Sequence, residues 1–394
     1  MAEKSDWRAI LSAFLVGVAG AIQVGRVAPV ATFIQDDLQL DLSAIGWLVS
    51  LITLASASLG LIAGYWVVRA GLRTSLVIGA AAMGACAVVA ALGPTLPILV
   101  GARVVEGLGY LVVVVAAPTL IAREATERDT SFALALWGTF FTLGLSIAAF
   151  AGGALVGQVG WQGWFFGSAA IAVLAAMAAL VSIPKEERIE VNRSNVWKTV
   201  TEMPLASWLL GAAFLGLTLL ALSILSLLPT FLVQEHGFAP GTAGSVTGFV
   251  ALASIMGSLG YGGFANRFPD TVIAAVASTA LIVSAFVAFA DATPLQIVTF
   301  AAVAVLMSGV LVAQTFATVP RVAHTPHLVG PTNGLVAQLG SVGALTGPPM
   351  IGALITFAGW SAVPWVVAGF ALSFAALFIL ALKSQNTSFA KDVG

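Results

Sequence analysis

Three charged residues carry the chemistry of this sequence: Arg26, Arg103 and Glu106. Each lies inside a long apolar run, whereas almost every other Lys, Arg, Asp or Glu falls in a short polar gap. A charge at mid-bilayer costs roughly 2.5–3.5 kcal/mol even on insertion scales, so such residues mark function by default. Two guanidiniums and one carboxylate leave one positive charge over, which points to an anion. Arg keeps its charge at any reachable pH and presents a planar fork that matches carboxylates and other oxyanions. Glu106 would balance one Arg in the empty site. Once displaced and facing no cation, a carboxyl out of water is more stable neutral, so Glu106 would take up a proton. The bland alternative is that Arg26 snorkels to the headgroups while Arg103 and Glu106 pair within one helix.

The surrounding composition is that of a membrane protein. The 394 residues are 59% hydrophobic and 8% charged, where soluble domains carry about 25% charged residues. Mean hydropathy is +1.04. The single cysteine, Cys86, offers neither an intrachain disulfide nor a metal site. His236, His324 and His327 fall in expected loops with no zinc-like spacing. No phosphate-binding Gly-x-x-x-x-Gly-Lys loop and no cofactor motif are present, which argues against an ATP-driven pump and against an enzyme.

A spanning helix needs about 20 mostly apolar residues. Twelve runs qualify: 8–33, 43–67, 74–93, 97–121, 131–156, 163–183, 206–233, 242–265, 271–290, 295–319, 332–357 and 361–382. With both termini in the cytoplasm, every Lys and Arg outside the runs faces inward, including Arg69, Arg73, Arg123, Lys185, Arg267 and Arg321, as the positive-inside rule requires. Asp36, Asp37, Asp41, Glu235 and Asp291 face outward, which suits the inner (plasma) membrane of a cell. The polar stretch 184–205, with Lys185, Glu186, Glu187, Arg188, Glu190, Arg193 and Lys198, reads as a solvated linker. It separates an N-terminal bundle (1–183) from a C-terminal bundle with a short tail (206–394).

The halves repeat. Gly153-Ala154-Leu155 with Gly160-Trp161 matches Gly352-Ala353-Leu354 with Gly359-Trp360, and Gly64 with Arg69 matches Gly262 with Arg267. Duplicated six-helix units are a transporter pattern, with substrate held near mid-membrane between the repeats.

Depth can be read from the 1.5 Å rise per residue. Arg26 lies roughly 27 Å up an outward-running first helix; Arg103 and Glu106 lie roughly 10 Å and 14 Å down an inward-running fourth. Gln23 shares a face with Arg26, and Tyr110 shares one with Arg103 and Glu106. Candidate substrate contacts are therefore Arg26, Arg103, Gln23 and Tyr110, with Trp137 and Gln338 as further lining and Glu106 as the proton carrier. Trp47, Ser223, Ser226, Gln314 and Ser341 are weaker lining candidates. Trp161, Trp164 and Trp360 are expected in the outer aromatic belt.

The stretch Gly64-Tyr65-Trp66-Val67-Val68-Arg69-Ala70-Gly71-Leu72-Arg73 resembles the Gly-x-x-x-Asp-Arg-x-Gly-Arg-Arg loop of the major facilitator superfamily. Arg103-Val104-Val105-Glu106-Gly107-Leu108-Gly109 is similar to its Arg-x-x-Gln-Gly-x-Gly motif, with Glu at the usual Gln. Val68 and Asn266 replace the acid of the loop motif. Gly343 to Gly352, with Pro348-Pro349, resembles the antiporter Gly-Pro motif but lies in the second half. The resemblance implies an all-α membrane fold of two pseudo-symmetric six-helix bundles working by alternating access. It assigns Arg69, Gly71, Arg73 and Arg267 to gating, and Arg103 to proton coupling or substrate. An Arg near the outer end of helix one is also a feature of cyanate-type members.

The expected activity is proton-coupled uptake of a small anion, an organic acid or an inorganic oxyanion. A proton-driven drug or metabolite exporter is the alternative, and a non-transporting receptor on the same fold is a third reading. The expected partners are the anion, protons and the bilayer, with no nucleic acid and the chain acting as a monomer.

Overall fold

A computed structural model describes residues 4–40, 42–185, 196–289 and 293–392. Glu186, Glu187, Arg188, Glu190 and Arg193 of the linker, with Asp41 and Asp291, lie outside them. Among the described residues all regular structure is helical, as hydrocarbon demands of a chain that must satisfy its own backbone groups. The chain divides into two compact units, residues 1–133 with 140–202, and residues 134–139 with 203–394.

The first unit holds α1 (Trp7–Gly25), a 3-10 turn (Ala28–Val30), α2 (Ala31–Leu38), α3 (Leu42–Ala70), α4 (Leu72–Leu92), α5 (Leu96–Glu124), the start of α6 (Glu127–Gly138), α7 (Phe140–Ser182) and α8 (Val196–Glu202). The second holds α9 (Leu205–Gln234), α10 (Pro240–Phe264), α11 (Asp270–Ala288), α12 (Pro294–Val322), α13 (Pro326–Ala358), a 3-10 turn (Trp360–Ala362) and α14 (Val363–Asp392).

Eleven described stretches are long and apolar enough to cross a membrane. One of them, Glu127–Ser182, has 56 residues, far beyond the ~30 Å hydrocarbon thickness at 1.5 Å per residue. It breaks at Gly160, whose φ of 71° lies in the region open to glycine. The stretch therefore makes two passes, and the molecule is a twelve-pass all-α membrane protein.

Four sequence expectations need correction. The run 8–33 is not one helix: α1 stops at Gly25, and Arg26 is its C-cap at φ −64°, ψ −25°. The expected loop around Gly71 shrinks to that residue alone, because α3 runs to Ala70 and α4 starts at Leu72. Gly71 has φ 89°, so only glycine turns the chain there without strain. The gap between runs five and six is a kink at Gly160 rather than a loop. His327 sits in the first turn of α13 rather than in a loop.

The sequence repeat has a backbone counterpart. Gly160 (φ 71°, ψ 172°) and Gly359 (φ 76°, ψ 173°) share one conformation, each followed by its Trp. In the second unit, Trp360 then packs on Phe231 and Phe289, with ring centroids 5.0 Å and 6.2 Å away.

Candidate functional site

Small residues let α1 lie close to α7 and α5. A Cβ added to Gly144 of α7 would stand 2.7 Å from the Val18 carbonyl oxygen, and one on Gly152 would stand 2.7 Å from Pro29 Cγ. Gly20 of α1 faces the Tyr110 ring of α5, 3.3 Å from where its Cβ would be. Such close approach replaces the hydrophobic effect, which does not drive helix association in lipid. It also sets the end of α1 beside the first half of α5 and the second half of α7.

At that junction Arg26, Arg103 and Glu106 are all buried, at 1%, 2% and 0% exposure. Arg26 Nη2 donates to Glu106 Oε1 at 2.5 Å, and Arg103 Nη1 donates to Glu106 Oε2 at 3.1 Å. One carboxylate thus bridges two guanidiniums, one oxygen to each. Snorkelling of Arg26 is ruled out by its burial. The pairing of Arg103 with Glu106 within α5 exists, but it is half of a larger arrangement.

Further contacts fix the guanidiniums. Arg26 Nη1 donates to Gln23 Oε1, and Gln23 Nε2 donates to the Ser168 carbonyl at 2.8 Å. The Arg26 guanidinium carbon stands 4.3 Å from the centre of the Phe165 ring, a cation–π contact. Trp164 Nε1 donates to the Arg26 carbonyl at 3.0 Å. Arg103 Nη1 also donates to the Gln23 carbonyl at 2.7 Å. That carbonyl belongs to the last turn of α1, where backbone donors run out. A cation is also favoured there by the helix dipole.

Within the cluster two buried donors have no hydrogen-bond partner: Arg26 Nε and Arg103 Nη2. With one carboxylate for two guanidiniums, the cluster keeps one net positive charge. It combines surplus charge with unused donors, the requirements for receiving an anion.

The predicted residues separate into groups. Gln23, Arg26, Arg103 and Glu106 come together, with Tyr110 buried one turn along α5 against α1. Trp137 and Gln338 belong to the second unit, and the cluster is built without them. Trp137 is fully buried with its ring edge-on to Phe316, 6.4 Å between centroids. Ser223 donates to the Leu219 carbonyl of its own helix at 2.6 Å. Gln314 Nε2 donates to the Asp270 carbonyl at 2.7 Å. Trp47 is 60% exposed.

At the α3–α4 corner, the Arg69 guanidinium lies 4.3 Å above the Tyr65 ring, and Arg73 donates to the Leu180 carbonyl at 2.5 Å. Arg267 is exposed between α10 and α11. The second unit has an ion pair at its own corner, Arg321 to Asp270 at 2.5 Å.

Sequence reasoning missed the α7 contribution. Trp161 and Trp164 are buried at 3% and 2% exposure, contrary to the aromatic-belt expectation. Trp161 Nε1 donates to Asp37 of α2 at 3.1 Å, and Gln162 Nε2 donates to the same oxygen at 3.2 Å. The available signal was spacing: Trp161, Trp164, Phe165 and Ser168 recur at three- and four-residue intervals, one face of a helix.

Comparison with known proteins gives the family. A family model described as Major Facilitator Superfamily matches residues 9–337. Multidrug resistance protein 1 of Bacillus subtilis is 28% identical over 170 residues, covering 43% of each chain. A probable multidrug-efflux transporter of Mycobacterium tuberculosis is 28% identical over 269 residues, 64% of this chain and 53% of that one. The chain thus spans about half the length of the curated relatives it matches. Among solved structures, the fucose:proton symporter of Escherichia coli superposes with a TM-score of 0.78 at 15% identity, covering 97% of this chain and 99% of that chain. The family model covers most of the sequence and the fold agrees with it, so the chain belongs to the major facilitator superfamily.

Proposed function

We propose that the protein is a secondary transporter that takes up a small anion together with protons by alternating access. The observation that carries this reading is the Glu106 carboxylate bridging Arg26 and Arg103 in a buried cluster with one surplus positive charge and two unused donors. An arriving anion takes over the guanidiniums, Glu106 loses its cations, and its carboxyl binds a proton. The anion and the proton then share one site, which couples their movements. On this reading Gln23 orients Arg26, and Tyr110 backs the cluster from one turn along α5. Arg69, Gly71, Arg73 and Arg267 belong to the corners that rearrange when access changes. The two bundles are residues 1–183 and 206–394, joined by the linker 184–205. The protein sits in the inner (plasma) membrane with both termini in the cytoplasm, as the basic residues favour.

Purified protein in liposomes tests this. Arg26→Gln and Arg103→Gln variants that still insert should lose anion uptake at least tenfold. Unchanged uptake by both would remove the reading.

A second reading is supported by the relatives, two of which bear multidrug resistance or efflux names. Glu106 would then carry the proton for an exporter, with the two arginines tuning it. Deletion separates the two: an exporter's loss raises drug sensitivity, and an importer's loss abolishes growth on the anion.

A further inference from the structure

The carboxylate inside the cluster is itself a small-molecule shape. Glu106 presents one planar CO2− group whose two oxygens engage one guanidinium each, Arg26 at 2.5 Å and Arg103 at 3.1 Å. The site is therefore already filled by a carboxylate tethered to the protein. From this we infer that the transported anion is a monocarboxylate that replaces the Glu106 carboxylate in kind, and that each monocarboxylate moves with one proton in an electroneutral step. This rests on the anion reading above and narrows it.

Charge accounting gives the stoichiometry. In the empty cluster, Arg26 and Arg103 contribute two positive charges and Glu106 one negative, leaving +1. When a monocarboxylate binds and Glu106 takes up one proton, the sum is again +1. The buried site thus never has to accommodate a changed charge, whose desolvation in hydrocarbon is the dominant penalty. A dianion with one proton would take the cluster to zero. A second proton would need a second acceptor beside Glu106. Among the described residues of the first unit, the groups facing Glu106 do not supply one: α1 brings Arg26, α5 itself brings Arg103 and Tyr110, and α4 brings the Cys86 thiol within electrostatic range. On α3 the neighbour at this level is Ile52, whose carbonyl faces Gly107. Tyr65 and Arg69 lie about 20 Å or more further along that helix. From α7 come Phe165 and Ser168, which do not titrate.

The exchange also conserves hydrogen bonds. Both guanidinium donors that hold Glu106 find equivalent oxygens on the incoming group. A planar group bridging two guanidiniums, one oxygen to each, favours a flat acceptor over a tetrahedral one.

The test uses the full-length protein, first in a thermal-shift series with lactate, glycerate and gluconate against succinate, sulfate and phosphate. Anions that stabilise it are then followed in liposomes, with protein-free liposomes subtracted. A monocarboxylate should stabilise the protein and enter when only a pH gradient is imposed. Its rate should be unchanged when a potassium diffusion potential of either sign is set with valinomycin. Calorimetry in two buffers of different ionisation heat should show one proton taken up per anion bound. Preference for the dianions, uptake that follows the potential, or no proton uptake on binding would overturn the inference and leave the anion reading standing. Stabilisation by none of the six anions would overturn both. Glu106→Gln should keep anion binding, release no dependence on buffer identity and lose pH-driven uptake. If that variant does not insert, the proton count on the unaltered protein decides.

Discussion

Arg26 Nη2 and Glu106 Oε1 are 2.5 Å apart although 80 residues separate them in the chain, and neither is exposed to solvent. This pair ties the end of α1 to the interior of α5. Since Glu106 also holds Arg103, removing the carboxylate leaves two guanidiniums uncompensated, whereas removing either Arg leaves a balanced pair.

Single and double substitutions should therefore be strongly non-additive. Glu106→Gln leaves two guanidiniums facing a neutral group, and Arg26→Gln leaves one guanidinium on one carboxylate. Breaking a buried pair typically costs about 3–5 kcal/mol, so Glu106→Gln should lower the melting temperature most. Adding Arg26→Gln to Glu106→Gln should recover part of the loss, with an interaction energy of about 1–3 kcal/mol in a double-mutant cycle.

Trp164→Phe keeps the ring but deletes the donor to the Arg26 carbonyl. The expected loss is about 1–3 kcal/mol for a buried acceptor left unmatched. Because that carbonyl positions Arg26, KM for the anion should rise more than kcat falls in liposome uptake. Equal changes in both would mean that Trp164 serves stability alone.

The contact between Asp37 and the Trp161–Gln162 pair holds α2 to α7. Asp37→Ala should leave the melting temperature within about 1 kcal/mol equivalent, the usual range for partly exposed polar contacts. Hydrogen exchange over Ala31–Leu38 should nevertheless quicken clearly, since a short helix with few buried residues opens locally once its tether is lost.

Gly160→Ala and Gly359→Ala place a side chain at φ above 70°. Each should destabilise by about 1–3 kcal/mol, since ψ near 172° makes this an essentially glycine-only region. Gly157→Ala, on the same helix with open space around it, should be neutral or slightly stabilising by helix propensity. Thermal melts of the three side by side check this.

Much of this was legible in the sequence because lipid imposes strong rules. Twelve apolar runs announce twelve passes, and an Arg inside one of them announces a buried function. The three-residue spacing of Gln23 and Arg26, and of Arg103 and Glu106, put them on common faces, and the structure joins those faces. What sequence periodicity could not show was where a helix stops inside an apolar run. Residues 27–33 are largely apolar, yet α1 stops at Gly25 ahead of Pro29, where Arg103 of α5 donates to the Gln23 carbonyl. Nor could hydropathy separate Trp164, buried in a polar network, from a tryptophan at the lipid interface, since both sit near the end of a run. The loop motif at Gly71 was visible, but its shortness was not, because Val67, Val68 and Ala70 are good membrane helix residues whose extent is settled by packing.

The Arg103 bond to the Gln23 carbonyl has a mechanical meaning. Most helices end where the backbone chooses; the end of α1 is held by a guanidinium borrowed from another helix, and that guanidinium also answers to Glu106. A ligand that draws Arg103 away returns an unclaimed carbonyl to the backbone beside Arg26. The chain can answer by winding another residue into α1 or by letting water in, and either one moves α2. Arg103 thus links the charged cluster to the end of α1 through a single nitrogen.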